Sequence, residues 1–128
     1  MTLLEEQTLR FCLNYEIVKD LPGYLRIRFP AYHRLPEAAL PYMGYVNDAL
    51  TLIPGIDSAS PNPRIGTLLI RYRANVLDTA AISNWIRILT DEGIRFYREY
   101  EGKMPGEQEI VSVLRKRLID KVAQVMMR

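Results

Sequence analysis

The six residues Tyr24-Leu-Arg-Ile-Arg-Phe29 alternate without a break: Leu25, Ile27 and Phe29 fall on one side, Tyr24, Arg26 and Arg28 on the other. A strict period of two marks a β-strand buried on one face only. Leu21-Pro-Gly23 precedes it and sets it off, by a turn or bulge, from a second extended piece, Tyr15-Glu-Ile-Val-Lys19. The alternation returns in Thr67–Arg73, with Leu68, Ile70 and Tyr72 facing one way and Leu69, Arg71 and Arg73 the other. Strands of this kind need a second layer to cover their apolar side.

The intervening segments supply helices. Pro30, Pro36 and Pro41 discourage an early start, so the first long helix is expected from near Pro41, with Met43, Val46, Leu50 and Ile53 on one face and Ala39 extending it. Pro54-Gly55 stops it, and Ile56 to Ser60 reads as an edge strand terminated by Pro61 and Pro63. Asp78 is a good N-cap for a second helix carrying Ala81 or Ile82, Trp85 and Leu89 inward, with Gly93 as its end. Ile94–Tyr100 is then expected as a fourth strand, with Ile94 and Phe96 inward. At the start of the chain, Thr2-Leu-Leu-Glu5 fits a capping box for a short helix with Leu4 and Phe11 inside, although Leu9 to Leu13 serves equally as the start of a strand.

These pieces give the order β-α-β-β-α-β and an α+β, ferredoxin-like sandwich: a four-stranded antiparallel sheet with two helices on one face, plus a C-terminal amphipathic helix. The expected division is an N-terminal segment over 1–14, the domain over 15–101, a linker over 102–106 and the terminal helix over 107–128. That last helix has an acidic first turn, a later basic triplet, and an apolar stripe of Val111, Leu114, Leu118, Val122 and Val125.

The 128 residues suffice for one core, and 48% hydrophobic with 25% charged residues is the composition of a soluble globular protein. The net charge is only +2, but it is unevenly spread. Residues 1–63 hold five Lys/Arg against seven Asp/Glu; residues 64–128 hold twelve against eight. Thirteen of the seventeen cations are Arg, the better group for planar contacts to carboxylate or phosphate. Cys12 is the single cysteine, so no internal disulfide forms and a reduced, cytoplasmic setting fits. The acidic opening residues do not form a signal peptide, and no run reaches the ~18–20 apolar residues of a membrane span.

Leu21-Pro-Gly23 before the Leu25–Arg28 strand, Ile53-Pro-Gly-Ile56 at the helix exit, and Asn62 followed by Gly66-Thr-Leu-Leu-Ile-Arg-Tyr72 together resemble the cysteine-poor branch of the heavy-metal-associated domains. The likeness runs over about Tyr15 to Gly93. Such domains are found ahead of P-type metal-transporting ATPases and as small free-standing proteins. The resemblance implies docking or regulation in bacterial metal homeostasis or transport, iron included. It also implies a protein partner, either a metal-transporting membrane ATPase or a second copy paired through the C-terminal helix. Metal-carrying members hold their ion with Cys-x-x-Cys after the first strand. Here that loop reads Phe29-Pro-Ala-Tyr-His-Arg-Leu-Pro36, so no ligand role transfers.

His33 and Cys12 are the only soft ligand types near such a loop, and one imidazole does not hold a labile metal tightly. A solvated histidine and a small buried cysteine are the plain readings, and no cofactor is expected. No phosphate loop, nucleophile set or paired carboxylates point to catalysis, so an enzyme is not expected. The chemistry left is the second face of the sheet, where Tyr24, Arg26, Arg28, Arg71 and Arg73 are expected to gather with Arg95 and Tyr97. A solvated face paired to Glu16 or Glu99, a protein-docking face and an anion or nucleic-acid surface all fit that set. The low charge and missing aromatic signature weigh against nucleic acid. A His33-based metal or haem carrier is a third alternative. Arg115, Lys116 and Arg117 beside the terminal apolar stripe also suit the inner face of a membrane, though packing within the chain or between copies is the plainer use of such a stripe.

Overall fold

The computed structural model describes residues 3–35, 44–100, 108 and 110–126. Helix α1 (Leu3–Cys12) is followed by strands β1 (Glu16–Leu21) and β2 (Tyr24–Arg28), a 3₁₀ turn at Tyr32–Arg34, the short helix α2 (Val46–Leu50), strands β3 (Ile56–Asn62) and β4 (Thr67–Tyr72), the long helix α3 (Thr79–Tyr100), a π-helical turn at Ile110–Leu114 and helix α4 (Arg115–Met126). The strands form one antiparallel sheet in the order β1-β2-β4-β3. The α+β class and the four antiparallel strands are as the sequence predicts. The linker at 102–106, Ala39 and Met43 lie outside the described residues.

The largest departure is at Ile94–Tyr100, which is helix rather than strand. Helix α3 runs for 22 residues straight through Gly93. Ile94 and Phe96 are indeed buried, but Trp85, Ile88, Glu92 and Phe96 make a buried stripe at helical spacing. The edge position is taken instead by β1, whose Leu21 pairs with Tyr24 across the turn at Gly23. Gly23 has φ +79°, and a Cβ there would meet the Tyr72 carbonyl at 3.0 Å, so the turn needs glycine. Strand β3 continues through Pro61 to Asn62, as an edge strand permits.

The core lies between the sheet's inner side and the helices. Leu25 and Ile27 from β2 and Leu68 and Ile70 from β4 meet Ile82, Trp85 and Phe96 of α3. Asp78 caps α3, accepting the Ala81 N–H at 2.7 Å, and the Thr79 hydroxyl donates to Asp20 of β1 at 2.9 Å. Asn47 of α2 accepts the Ala59 N–H of β3 through its side chain at 3.2 Å.

The terminal helix is part of this core. Leu114, Leu118 and Val125 are buried in it and Val122 packs against it. Two ion pairs join α4 to α3, Arg117 to Glu99 at 2.7 Å and Lys121 to Glu92 at 4.0 Å. Glu92 is almost wholly buried between these helices. Helix α1 turns Leu9 and Cys12 inward, while Leu4 and Phe11, expected on its inner side, are exposed. Arg10 holds α1 on α3 through Asp91 at 2.8 Å. No described helix is long and apolar enough to cross a membrane.

Candidate functional site

The outer face of the sheet gathers part of the expected set. The β2–β4 register puts Tyr24 opposite Arg71, Arg26 opposite Leu69 and Arg28 opposite Thr67. The β1–β2 register adds Lys19 opposite Arg26 and Glu16 opposite Arg28. The Tyr24 ring is flanked by two cations, the Arg71 guanidinium 5.4 Å and the Lys19 ammonium 5.8 Å from its centroid. Arg28 pairs with Glu16 at 3.3 Å, both side chains half exposed. Arg73 lies just past β4 and reaches Asp57 at 3.7 Å. Arg26 has no carboxylate partner among the described residues, and Lys19 directly across from it is a like charge, an arrangement that costs stability unless an anion or water answers it.

Arg95 and Tyr97 do not belong to this face. Both sit on α3, because the segment that carries them is helical. Arg95 lies beside Glu99 at 3.8 Å, and Tyr97 packs against the small cluster of Leu9 and Ile94. Glu99 likewise serves the helical layer: the hydrogen bond from Arg117, helped by the charges of Arg117 and Arg95, holds its carboxyl below the usual range.

Sequence reasoning missed the edge beside this face. Ile17, Val18 and Leu21 of β1 are 48%, 52% and 48% exposed. A register shift between Ile17 and Lys19 leaves Val18 at a bulge. The strand contains no proline, and among the described residues no strand pairs with its outer backbone edge. The apolar residues of Glu16–Leu21 were legible, but their exposure follows from β1 being an edge strand, which only the sheet order reveals.

His33 stands exposed in the 3₁₀ turn, its ring edge-on to Tyr32 at 6.1 Å. Cys12 is fully buried, and loss of hydration pushes its thiol up, Arg34 pulling weakly the other way. Among the described residues no three His, Cys, Asp or Glu side chains stand close enough to hold a metal ion. Of the basic triplet, Arg117 turns back to Glu99 and over the Phe96 ring at 5.7 Å, while Arg115 and Lys116 are exposed. No protein-family model, no curated protein and no solved structure matches this chain.

Proposed function

We propose that this chain is a non-catalytic docking module of the heavy-metal-associated kind, lacking the Cys-x-x-Cys site and binding a protein partner through β1 and the neighbouring outer face of β2 and β4. The observation that carries this reading is the pairing of an unprotected apolar edge with a cationic, aromatic face. Leu21 is half exposed opposite Tyr24 on the face of Arg26, Arg28 and Arg71, Val18 is half exposed at the bulge, and Ile17, opposite Ile27, is half exposed on the other side of the same edge strand. An open strand edge is a template for an added strand, and Arg and Tyr are the residues interfaces use as anchors. The partner's matching segment is extended and acidic.

The ferredoxin-like relation is part of the same proposal. It is supported by α2 lying between β2 and β3, by α3 following β4, and by β1 lying beside β2 at the edge of the sheet. The metal-transport setting, with a membrane ATPase or a second copy of the chain as partner, rests on the sequence resemblance and this element order. In that setting the module works at the cytoplasmic side of the membrane.

Elemental analysis joined to a binding measurement tests the proposal. The purified chain should carry no stoichiometric metal. It should self-associate, or bind the cytosolic part of a metal-transporting ATPase, and Val18→Lys or the pair Arg26→Glu with Arg71→Glu should abolish that binding. Stoichiometric metal or haem lost on His33→Ala would overturn it. Salt-sensitive oligonucleotide binding lost in the double Arg variant would replace it with an anion-binding reading, which the unanswered Arg26 and Lys19 favour.

A further inference from the structure

A different feature lies among the helices, and nothing in it depends on the docking proposal. Where the end of α1 meets α3 a cleft of about 340 Å³ opens. Its lining comes from two parts of the chain, Arg10 to Tyr15 on one side and Ser83 to Asp91 of α3 on the other, all among the described residues. Leu13 and the almost wholly buried Ile86 give it an apolar part; most of the rest is polar or charged. Small-molecule sites begin at roughly this volume, about 300 Å³.

Two guanidiniums from different helices are gathered here by one carboxylate. Asp91 accepts from Arg10 through Oδ1 at 2.8 Å and from Arg87 through Oδ2 at 3.3 Å. The Asn84 side-chain oxygen takes a second Arg87 N–H at 2.8 Å, so Arg87 is fixed from two directions. Glu6, 3.5 Å from Arg10, is itself engaged by Arg98. The cluster of Glu6, Arg10, Arg87, Asp91 and Arg98 thus holds three cations against two anions. A guanidinium carries five N–H donors, so Arg10 and Arg87 keep donors beyond those spent on Asp91 and Asn84. Arg10 also stands in the last turn of α1, where it offsets the partial negative charge of that helix end.

The hydroxyls of α3 are the second, independent observation. Helical Ser and Thr side chains commonly donate to the carbonyl four residues back, and Thr8, Thr51 and Ser112 do so here at 2.9, 3.0 and 2.6 Å. Thr79 donates to Asp20 instead. Ser83 and Thr90 make no side-chain hydrogen bond among the described residues, and both line the cleft. With Arg87 they stand at i, i+4 and i+7, one face of the helix. We propose that the cleft binds a phosphate monoester. Its phosphoryl oxygens accept from Arg10, Arg87 and the two hydroxyls, Asp91 positions the guanidiniums, and the organic part lies against Leu13 and Ile86. A tetrahedral phosphoryl group uses donors that arrive from several directions, whereas a carboxylate is satisfied in one plane by a single guanidinium. Donors from two helices, two of them hydroxyls, are the first arrangement.

Calorimetric titration of the full chain at fixed ionic strength tests this. The probes are glycerol 3-phosphate, acetate as a planar control, and vesicles containing phosphatidic acid, a lipid phosphate monoester. One equivalent of glycerol 3-phosphate should bind saturably, acetate should not displace it, and Arg87→Gln should weaken it about tenfold. Arg87 is 63% exposed, so its replacement should leave the far-ultraviolet circular dichroism unchanged. Ser83→Ala with Thr90→Ala should weaken binding several-fold, a second route to the same answer. Vesicle binding that requires Arg87, without binding of glycerol 3-phosphate, supports the site with a lipid headgroup as its source. Absence of saturable binding to both phosphate sources overturns the proposal, as does binding that survives both variants or that acetate displaces equally well.

Discussion

Strand β2 sends Arg26 and Arg28 to one side of the sheet and Leu25 and Ile27 to the other, and the two sides do their work by different physics. The outer face is a set of charges and a ring, held apart by strand register and answered by solvent or a single carboxylate. The inner side is a packing problem in which the core depends on how α3 and α4 meet the sheet. The outer face can therefore lose side chains at little cost to the fold, while the inner side cannot.

Neighbouring residues on β4 give the largest contrast. Ile70→Ala should cost about 2–5 kcal/mol in urea unfolding, whereas Arg71→Ala, one residue on and outward, should stay within about 0.5 kcal/mol. Equal losses would mean that the outer face is covered by part of the same chain. Two glycines sharpen the point. Gly66 has φ +68°, and a Cβ there would stand 2.5 Å from the Tyr32 ring, so Gly66→Ala should destabilise by about 1–3 kcal/mol. Gly93→Ala should instead raise stability by about 0.5–1 kcal/mol, since it gains helix propensity and meets open space. A loss at Gly93 on thermal denaturation would place a side chain where the structure has room.

Smaller effects come from charge. A double-mutant cycle on Glu16 and Arg28, both half exposed, should return roughly 0.2–1 kcal/mol, shrinking as salt is added. On the helical layer, Arg117 depresses the Glu99 carboxyl, so the stabilisation is present above the ordinary carboxylate range and lost as pH falls through the folded value. Glu99→Gln should flatten the fall in stability below about pH 4.5, by a small amount because the site is partly solvated.

The same contrast governs what could be read from the sequence. Period-two alternation placed β2 and β4 and every outward arginine on them, because a strand's two faces follow from local geometry alone. Helix α3 past Gly93 was misread because glycine is a common helix stop and Ile94-Arg-Phe-Tyr fits an alternating strand. The helical stripe Ile86, Leu89, Gly93, Ile94 and Tyr97 was present as the competing signal, but it is recognisable only if a glycine counts as a member of the apolar face. Arg10 and Arg87 are remote in sequence, so no spacing rule could have joined them around one cleft. The burial of Glu92 was equally hidden, since it depends on α4 packing across α3.

That β1 rather than a late strand fills the sheet's edge has a consequence for how the chain is made. All four strands lie within residues 16–72, so during synthesis the sheet can be hydrogen-bonded before α3 has left the ribosome. Its inner side, with Leu25, Ile27, Leu68 and Ile70, then has Ala49, Leu50 and Ile53 against it but waits for Trp85 and Phe96 to complete the cover. The nascent chain passes through a stage with an adhesive apolar surface, and the time taken to translate α3 and α4 sets how long that stage lasts.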